Sequence, residues 1–303
     1  MLQAADVSFA YRGGRPVLRG VSMQVAEGGL VGILGPNGSG KSTLLRVLSG
    51  TVKPSSGRVT LDGADLARQP RAAIARRMAV VPQETHLAFD YTALEVVLMG
   101  RYPHLAAFEI EGPEDVAIAR EALSATGTLE FEDRPFETLS GGEKQRVIIA
   151  AALAQVHPRA LDVAARGSQL AARGAQVAAH GSSAEPRDAT CDPRTPVLLL
   201  DEPTAALDLA YQLEVASLLR ALQEQQPMAI VISTHDLNFA AGLCRSLVLL
   251  KEGQVIAAGA TEDVLTPDRI RTLYGVEADV HRHGPTGRLV IVPTGRSPVG
   301  AKP

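Results

Sequence analysis

The sequence predicts an α/β protein with a parallel sheet at its core, an antiparallel β subdomain and a helical subdomain. Three observations carry this expectation. Continuous aliphatic runs, Val197-Leu198-Leu199-Leu200 and Ala229-Ile230-Val231-Ile232, have the character of strands covered by helices on both sheet faces. Short β-rich runs alternate with helical ones, the order that builds a parallel core. Residues 2–25 and 246–258 each carry a turn signal between apolar stretches, Gly13-Gly14 in the first and Lys251-Glu252-Gly253-Gln254 in the second, so both read as antiparallel.

Taken in order, Gly29 to Leu34 reads as a strand running into a Gly-rich turn, and Lys41 to Leu48 has a helical apolar pattern. Met78-Ala79-Val80-Val81 is a further buried-strand candidate. From Thr92 to Gln155 the pattern is helical, broken by Gly112-Pro113 and Arg134-Pro135, which defines a helical subdomain over about residues 92–155. Val156 to Pro196 contains a tandem heptapeptide, Ala164 to Leu170 and then Ala171 to Val177, with one large apolar residue per repeat. A coiled-coil seam needs two, and a Gly in each repeat costs about 1 kcal/mol of helix stability, so residues 156–196 read as a low-complexity surface insertion. The main domain is expected over residues 1–280 and a tail over 281–303. The His281-Arg282-His283 cluster reads as a solvated strand edge, because two alternate histidines make a poor metal site.

Composition narrows the function classes. The chain has 303 residues, 46% hydrophobic and 21% charged, enough for a sizeable core. A formal net charge of −3 gives no global attraction to nucleic acid or anionic lipid, so phosphate recognition must be local and no nucleic-acid partner is expected. Two cysteines, Cys191 and Cys244, lack metal-ligand spacing and read as free thiols. The N-terminus lacks the basic start and apolar run of a signal peptide, which points to the cytoplasm. No apolar run approaches the roughly 20 residues that span a bilayer, so any service to a membrane comes from outside it.

Gly35-Pro36-Asn37-Gly38-Ser39-Gly40-Lys41-Ser42 follows a strand and opens a helix, matching the phosphate-binding pattern G-x-x-x-x-G-K-[ST]. Its glycines let backbone N–H groups converge on phosphate oxygens and the helix N-terminus adds a favourable dipole. Lys41 would reach the β- and γ-phosphates, and Ser42 would offer its hydroxyl to Mg²⁺. Asp201 and Glu202 end the 197–200 strand at the sheet edge where α/β folds bind ligands. Asp201 suits the magnesium shell and Glu202 the general base that polarises the attacking water. Leu139-Ser140-Gly141-Gly142-Glu143 with Lys144-Gln145-Arg146 offers a hydroxyl and backbone donors at a helix start, a second anion site.

That last string resembles the signature sequence of ATP-binding cassette (ABC) ATPases, and with the phosphate loop it identifies the chain as similar to that family. The resemblance covers about residues 1–155 and 197–280. It implies a P-loop NTPase (RecA-like) core and ATP with Mg²⁺ as cofactors. It implies that Ser140, Gly141 and Gly142 grip the γ-phosphate held by a second copy, so that the active form is a homodimer. Gln83 after Val80-Val81-Pro82 resembles the Q-loop, implying contact with Mg²⁺ and a catalytic part; Ala206-Leu207-Asp208 resembles the D-loop; His235 after Ser233-Thr234 resembles the switch histidine. Tyr11, thirty positions before Lys41, resembles the aromatic that stacks on adenine. The implied nucleotide site thus comprises Tyr11, Gly35 to Thr43, Ser140 to Gly142 and Asp208, with Glu202, His235, Gln83 and Lys41 catalytic and Ser42, Gln83 and Asp201 at the metal. Ala205-Ala206 departs from the usual Ser-Ala, and Ala151 stands where arginine is common.

A single cassette without a membrane span resembles the separate ATPase subunit of a bacterial importer. Gly100-Arg101-Tyr102-Pro103-His104 and Leu207 to Gln212 resemble the iron-siderophore, haem and cobalamin uptake group. The implied partners are integral membrane permease subunits and, indirectly, a periplasmic or surface substrate-binding protein. The implied location is the cytoplasmic face of the cell membrane. Competing readings are an importer ATPase for another solute, a regulatory ABC ATPase, and a P-loop kinase, which would need an acceptor site and lid where this chain has the signature sequence.

Overall fold

The computed structural model describes residues 1–85, 87–157, 195–205, 207–225, 227–285 and 287–296; Cys191, Ala206 and the heptapeptide repeats lie outside the described residues. The first third holds β1 (Leu2–Ala10), β2 (Pro16–Val25), β3 (Leu30–Leu34), α1 (Lys41–Leu48), β4 (Ser56–Leu61), β5 (Ala64–Asp65), α2 (Arg71–Ala75) and β6 (Met78–Val81). The helical stretch follows with α3 (Ala93–Leu98), α4 (Pro113–Ala125) and α5 (Gly141–Val156). The chain returns through β7 (Val197–Asp201), α6 (Leu209–Gln225), β8 (Ala229–Thr234), α7 (Leu237–Leu243), β9 (Ser246–Lys251) and β10 (Gln254–Ala260). It ends with α8 (Thr261–Val264), α9 (Pro267–Tyr274), β11 (Val276–Arg282) and β12 (Leu289–Arg296).

The core sheet has six strands in the order β10-β9-β3-β8-β7-β6. β6, β7, β8, β3 and β9 run parallel, and β10 turns back antiparallel on β9. Alternation along β3 sorts its side chains: Leu30 and Leu34 join Leu198, Leu200, Ile230 and Ile232 on the face covered by α5, α6 and α7. Val31 and Ile33 join Leu199, Val231 and α1 on the other face, toward the antiparallel sheet β2-β1-β4-β5. Full burial of each such aliphatic contributes about 1.5–3 kcal/mol, which fixes register because a one-residue slip would exchange the faces. The helical subdomain has its own core of Val96, Val97, Ile118, Leu123, Phe136 and Val147.

Three expectations change. The 246–258 hairpin, read only as antiparallel, also extends the core sheet: β10 turns back on β9, and β9 pairs in parallel with β3. The tail does not begin at 281, because β11 crosses that boundary and pairs with β12, whose Ile291 is buried in the main core. The insertion is shorter than 156–196, because Val156 ends α5 in the core and the Pro196 carbonyl accepts from Ala229 N at 2.9 Å.

Candidate ATP-hydrolysis site

The loop between β3 and α1 can be built only with particular residues. A side chain at Gly35 would place Cβ 2.2 Å from the Leu250 carbonyl, and Gly40 takes φ 105° as it caps α1. The first N–H groups of α1 have no carbonyl partner within the helix and point out of its N-terminus. Ser39 Oγ is buried and has no hydrogen-bond partner among the described residues. Loop, helix end and orphaned hydroxyl fit a polyphosphate of the kind the sequence implied.

Lys41 is buried; its Nζ donates to Gly35 O at 2.9 Å and lies 3.1 Å from Glu202 Oε1. Glu202 Oε2 is 2.9 Å from His235 Nδ1, so one carboxylate joins the lysine of β3–α1 to the histidine after β8. Glu202 reaches this position with φ 45°, a conformation that costs a non-glycine residue of order 1–3 kcal/mol. The Ser233 carbonyl and hydroxyl hold its N–H at 3.0 and 3.1 Å. The Ser233 hydroxyl also donates to Asp201 Oδ1 at 2.5 Å, and Ser42 Oγ donates to the same oxygen at 3.1 Å. Ser42 and Asp201 thus form an oxygen-rich corner of the kind hard cations prefer.

Asn37, Gly38, Gly40 to Thr43, Gln83, Glu202 and His235 line one cavity of about 570 Å³, together with Thr204, Gln212 and Asp236. Gly35, Pro36, Ser39 and Asp201 are not among the residues that line it. Tyr11 stands outside it, half-exposed, with its hydroxyl 3.3 Å from Thr43 Oγ1; that bond holds the phenol below its ordinary pKa. Asp208 also stands outside and caps α6, accepting from Tyr211 N at 3.1 Å.

Ser140, Gly141 and Gly142 are not in the cavity wall either. Ser140 caps α5 in a reciprocal pair with Glu143: its Oγ accepts from Glu143 N at 3.3 Å and its N–H donates to Glu143 Oε2 at 2.7 Å. Gly142 lies against Tyr211, whose ring would sit 2.2 Å from any Cβ there. The Gly100–His104 segment serves the other end of α5. Arg101 Nη1 donates to the carbonyls of Ala154 and His157 and Nε to Asp115 at 3.1 Å, and His104 Nε2 lies 2.7 Å from Gln155 O.

Residues 18–161 match the family described as ABC transporter. The haemin import ATP-binding protein HmuV of Bordetella pertussis is 41% identical over 96% of this chain and 98% of that protein. The chain belongs to the ABC transporter family, as one of its ATP-hydrolysing cassettes. The cobalamin import ATP-binding protein BtuD of Halobacterium salinarum is 37% identical over 95% of this chain and 62% of its own length. A solved metal-chelate type ABC transporter in an inward-facing conformation superposes with TM-score 0.74 at 27% identity, covering 97% of both chains. The ABC ATPase thus carries the P-loop core, antiparallel β subdomain and helical subdomain expected of its sequence, and it binds ATP.

Sequence reasoning passed over Ser233, Thr204, Gln212 and Asp236 at this site. Ser233 and Asp236 flank the Thr234-His235 pair and were within reach of the same motif; Thr204 and Gln212 join the cavity only through the fold.

Proposed function

We propose that this ABC ATPase is the ATP-hydrolysing subunit of an importer for haem, cobalamin or an iron-siderophore. The observation that carries hydrolysis is the carboxylate of Glu202 fixed between Lys41 and His235 in the wall of the cavity. In this reading Glu202 takes the proton of the attacking water, His235 orients that carboxylate, and Lys41 turns from Glu202 toward the phosphates once nucleotide enters. Mg²⁺, which would neutralise phosphate charge, would be held by Ser42, Asp201 and Gln83. Tyr11 would stack on adenine beside Thr43. The names of the haemin and cobalamin relatives support the solute class.

The position of the signature residues supports a head-to-tail homodimer. Ser140 and Gly141 are exposed at the start of α5 and do not line the protein's own cavity, and a second copy could bring them, with Asp208, over the nucleotide. Exposed Phe89 and Tyr102, 71% and 57% accessible, lie within the 84–104 segment and suit a permease contact. Among the described residues no helix is long and apolar enough to cross a membrane, which fits peripheral attachment at the cytoplasmic face, with a substrate-binding protein acting through the permease. Mixing Lys41→Ala and Ser140→Arg chains tests the pairing, because a mixed dimer regains one complete site. Recovery of no activity in the mixture, or full hydrolysis by Ser140→Arg alone, defeats it. ATP-dependent haem or cobalamin uptake into vesicles holding the co-purified permease tests the solute.

A further inference from the structure

The backbone beside the Glu202–His235 contact is held from the C-terminal part of the chain. Tyr274, the last residue of α9, donates its hydroxyl to the His235 carbonyl at 3.3 Å. Its ring packs against the main core near Ile270 and Leu273. Burial pushes the phenol well above its ordinary pKa, with Asp236 and Glu202 adding to the shift, so the hydroxyl keeps its proton and remains a donor.

A second tie lies three residues on. The Asn238 side chain donates through Nδ2 to Ile291 O at 3.0 Å and accepts at Oδ1 from Ile291 N at 2.9 Å. The amide thus supplies the two-way pairing that a neighbouring strand would give β12. Ile291 is 2% exposed, so the strand side of this junction is buried, while the Asn238 amide reaches it from the surface. Both ties fall between His235 and Asn238, where Asp236 also caps α7 by accepting from Phe239 N at 2.9 Å. The His235 ring is itself 55% exposed, so where it meets Glu202 is decided largely by its backbone.

We propose that Tyr274 is a positioning residue for hydrolysis: through the His235 carbonyl, and backed by the Asn238–Ile291 pair, the segment from α9 to β12 sets the placement of the His235 ring against Glu202. The inference rests on the roles given above to Glu202 and His235. A misplacement of about 1 Å at a reacting centre is enough to lower a rate substantially. The module joins the end of the expected main domain, where Tyr274 lies, to strand β12 from the expected tail, and in this view both are part of the catalytic frame.

The test uses the full chain carrying Tyr274→Phe, which keeps the ring and removes the donor, beside Asn238→Ala and His235→Ala. Steady-state hydrolysis, melting temperature and the ring proton resonance of His235 are measured. His235 is one of seven histidines, and its signal is the one missing from His235→Ala. The expected result is that Tyr274→Phe lowers kcat about three- to tenfold, the worth of one hydrogen bond, with KM and melting temperature unchanged and the His235 resonance shifted. Asn238→Ala should move the same resonance. Wild-type kcat in Tyr274→Phe overturns the proposal, and so does a rate loss with no shift of that resonance, which assigns the tyrosine a packing role alone. If His235→Ala loses hydrolysis in either case, the site assignment stands without Tyr274. If His235→Ala hydrolyses ATP normally, that assignment fails and this proposal fails with it.

Discussion

Lys41 Nζ and Glu202 Oε1 lie 3.1 Å apart, a nearly buried pair across the cavity where the phosphates would enter. The ammonium is held by the group that would later act as base, so the two functions are coupled before nucleotide arrives. Glu202→Gln keeps the shape, removes the charge and releases the lysine. Hydrolysis should fall about 10²–10⁴-fold while ATP binds at least as tightly as to the unmodified chain. Phosphate release and titration with a fluorescent ATP analogue measure the two sides, and retention of more than a tenth of the rate would remove Glu202 from the role of base.

Gly142→Ala drives a methyl group into the Tyr211 ring, 2.2 Å away, and neither α5 nor α6 can yield without moving a core. Overpacking of this kind costs about 1–3 kcal/mol. A lower melting temperature is expected, together with slower hydrolysis as the signature turn shifts. In the double variant with Tyr211→Ala the two losses should be less than additive, since the clash is gone. Full additivity in chemical denaturation would show that the contact does not set the position of α5.

The Glu143 carboxylate accepts the Ser140 N–H, and this bond holds its pKa below the usual value. A depressed carboxylate pKa means that the folded state binds the proton less readily than the unfolded chain. Its contribution is therefore complete above the unfolded value and is lost as pH falls through the folded one. Glu143→Gln can keep the hydrogen bond but cannot titrate. Below about pH 5 the melting temperature of the unmodified chain should fall more steeply than that of the variant, and the two should run parallel at neutral pH. Identical profiles from pH 3 to 7 would contradict the assignment.

Both ends of the 158–194 segment are moored to one short turn. Gln155 Nε2 donates to Ala75 O at 2.8 Å and Met78 O at 3.0 Å, while Val197 N donates to Arg77 O at 2.8 Å. Replacing residues 158–194 by a short Gly-containing turn should leave melting temperature and ATP hydrolysis nearly unchanged, because loop closure changes by only about 0.6 kcal/mol per doubling of length. Circular dichroism and a rate assay on the deletion protein check this; loss of hydrolysis in a still-folded protein would give the segment a catalytic part.

Much of the site was legible because its signals are local. Gly35 to Ser42 encodes a tight loop and a helix start in consecutive letters, and Asp201-Glu202 announces itself as charge at the end of four aliphatics. β3, β6, β7 and β8 were readable because strands buried on both faces leave unbroken aliphatic runs. What escaped was pairing at long range. Ser233 reads as an ordinary strand residue until β7 and β8 align and place it beside Asp201. Gly100–His104 suggested a solute group, yet Arg101 and His104 are buried at the C-terminal end of α5, a partnership no local pattern reveals. β11 and β12 were missed as core for the same reason: Ile291 is inside only because α7 lies over it, held through Asn238.

The strand order also governs synthesis. β3 carries the nucleotide loop near the start of the chain, but its sheet neighbours are β8 and β9, which the ribosome makes about two hundred residues later. Until then the backbone groups of β3 have no sheet partner, and Asp201, Glu202 and His235 join the loop only over that same interval. A nascent chain therefore emerges with its phosphate loop exposed and without the means to consume ATP, and catalytic competence arrives as one late event when the centre of the sheet closes.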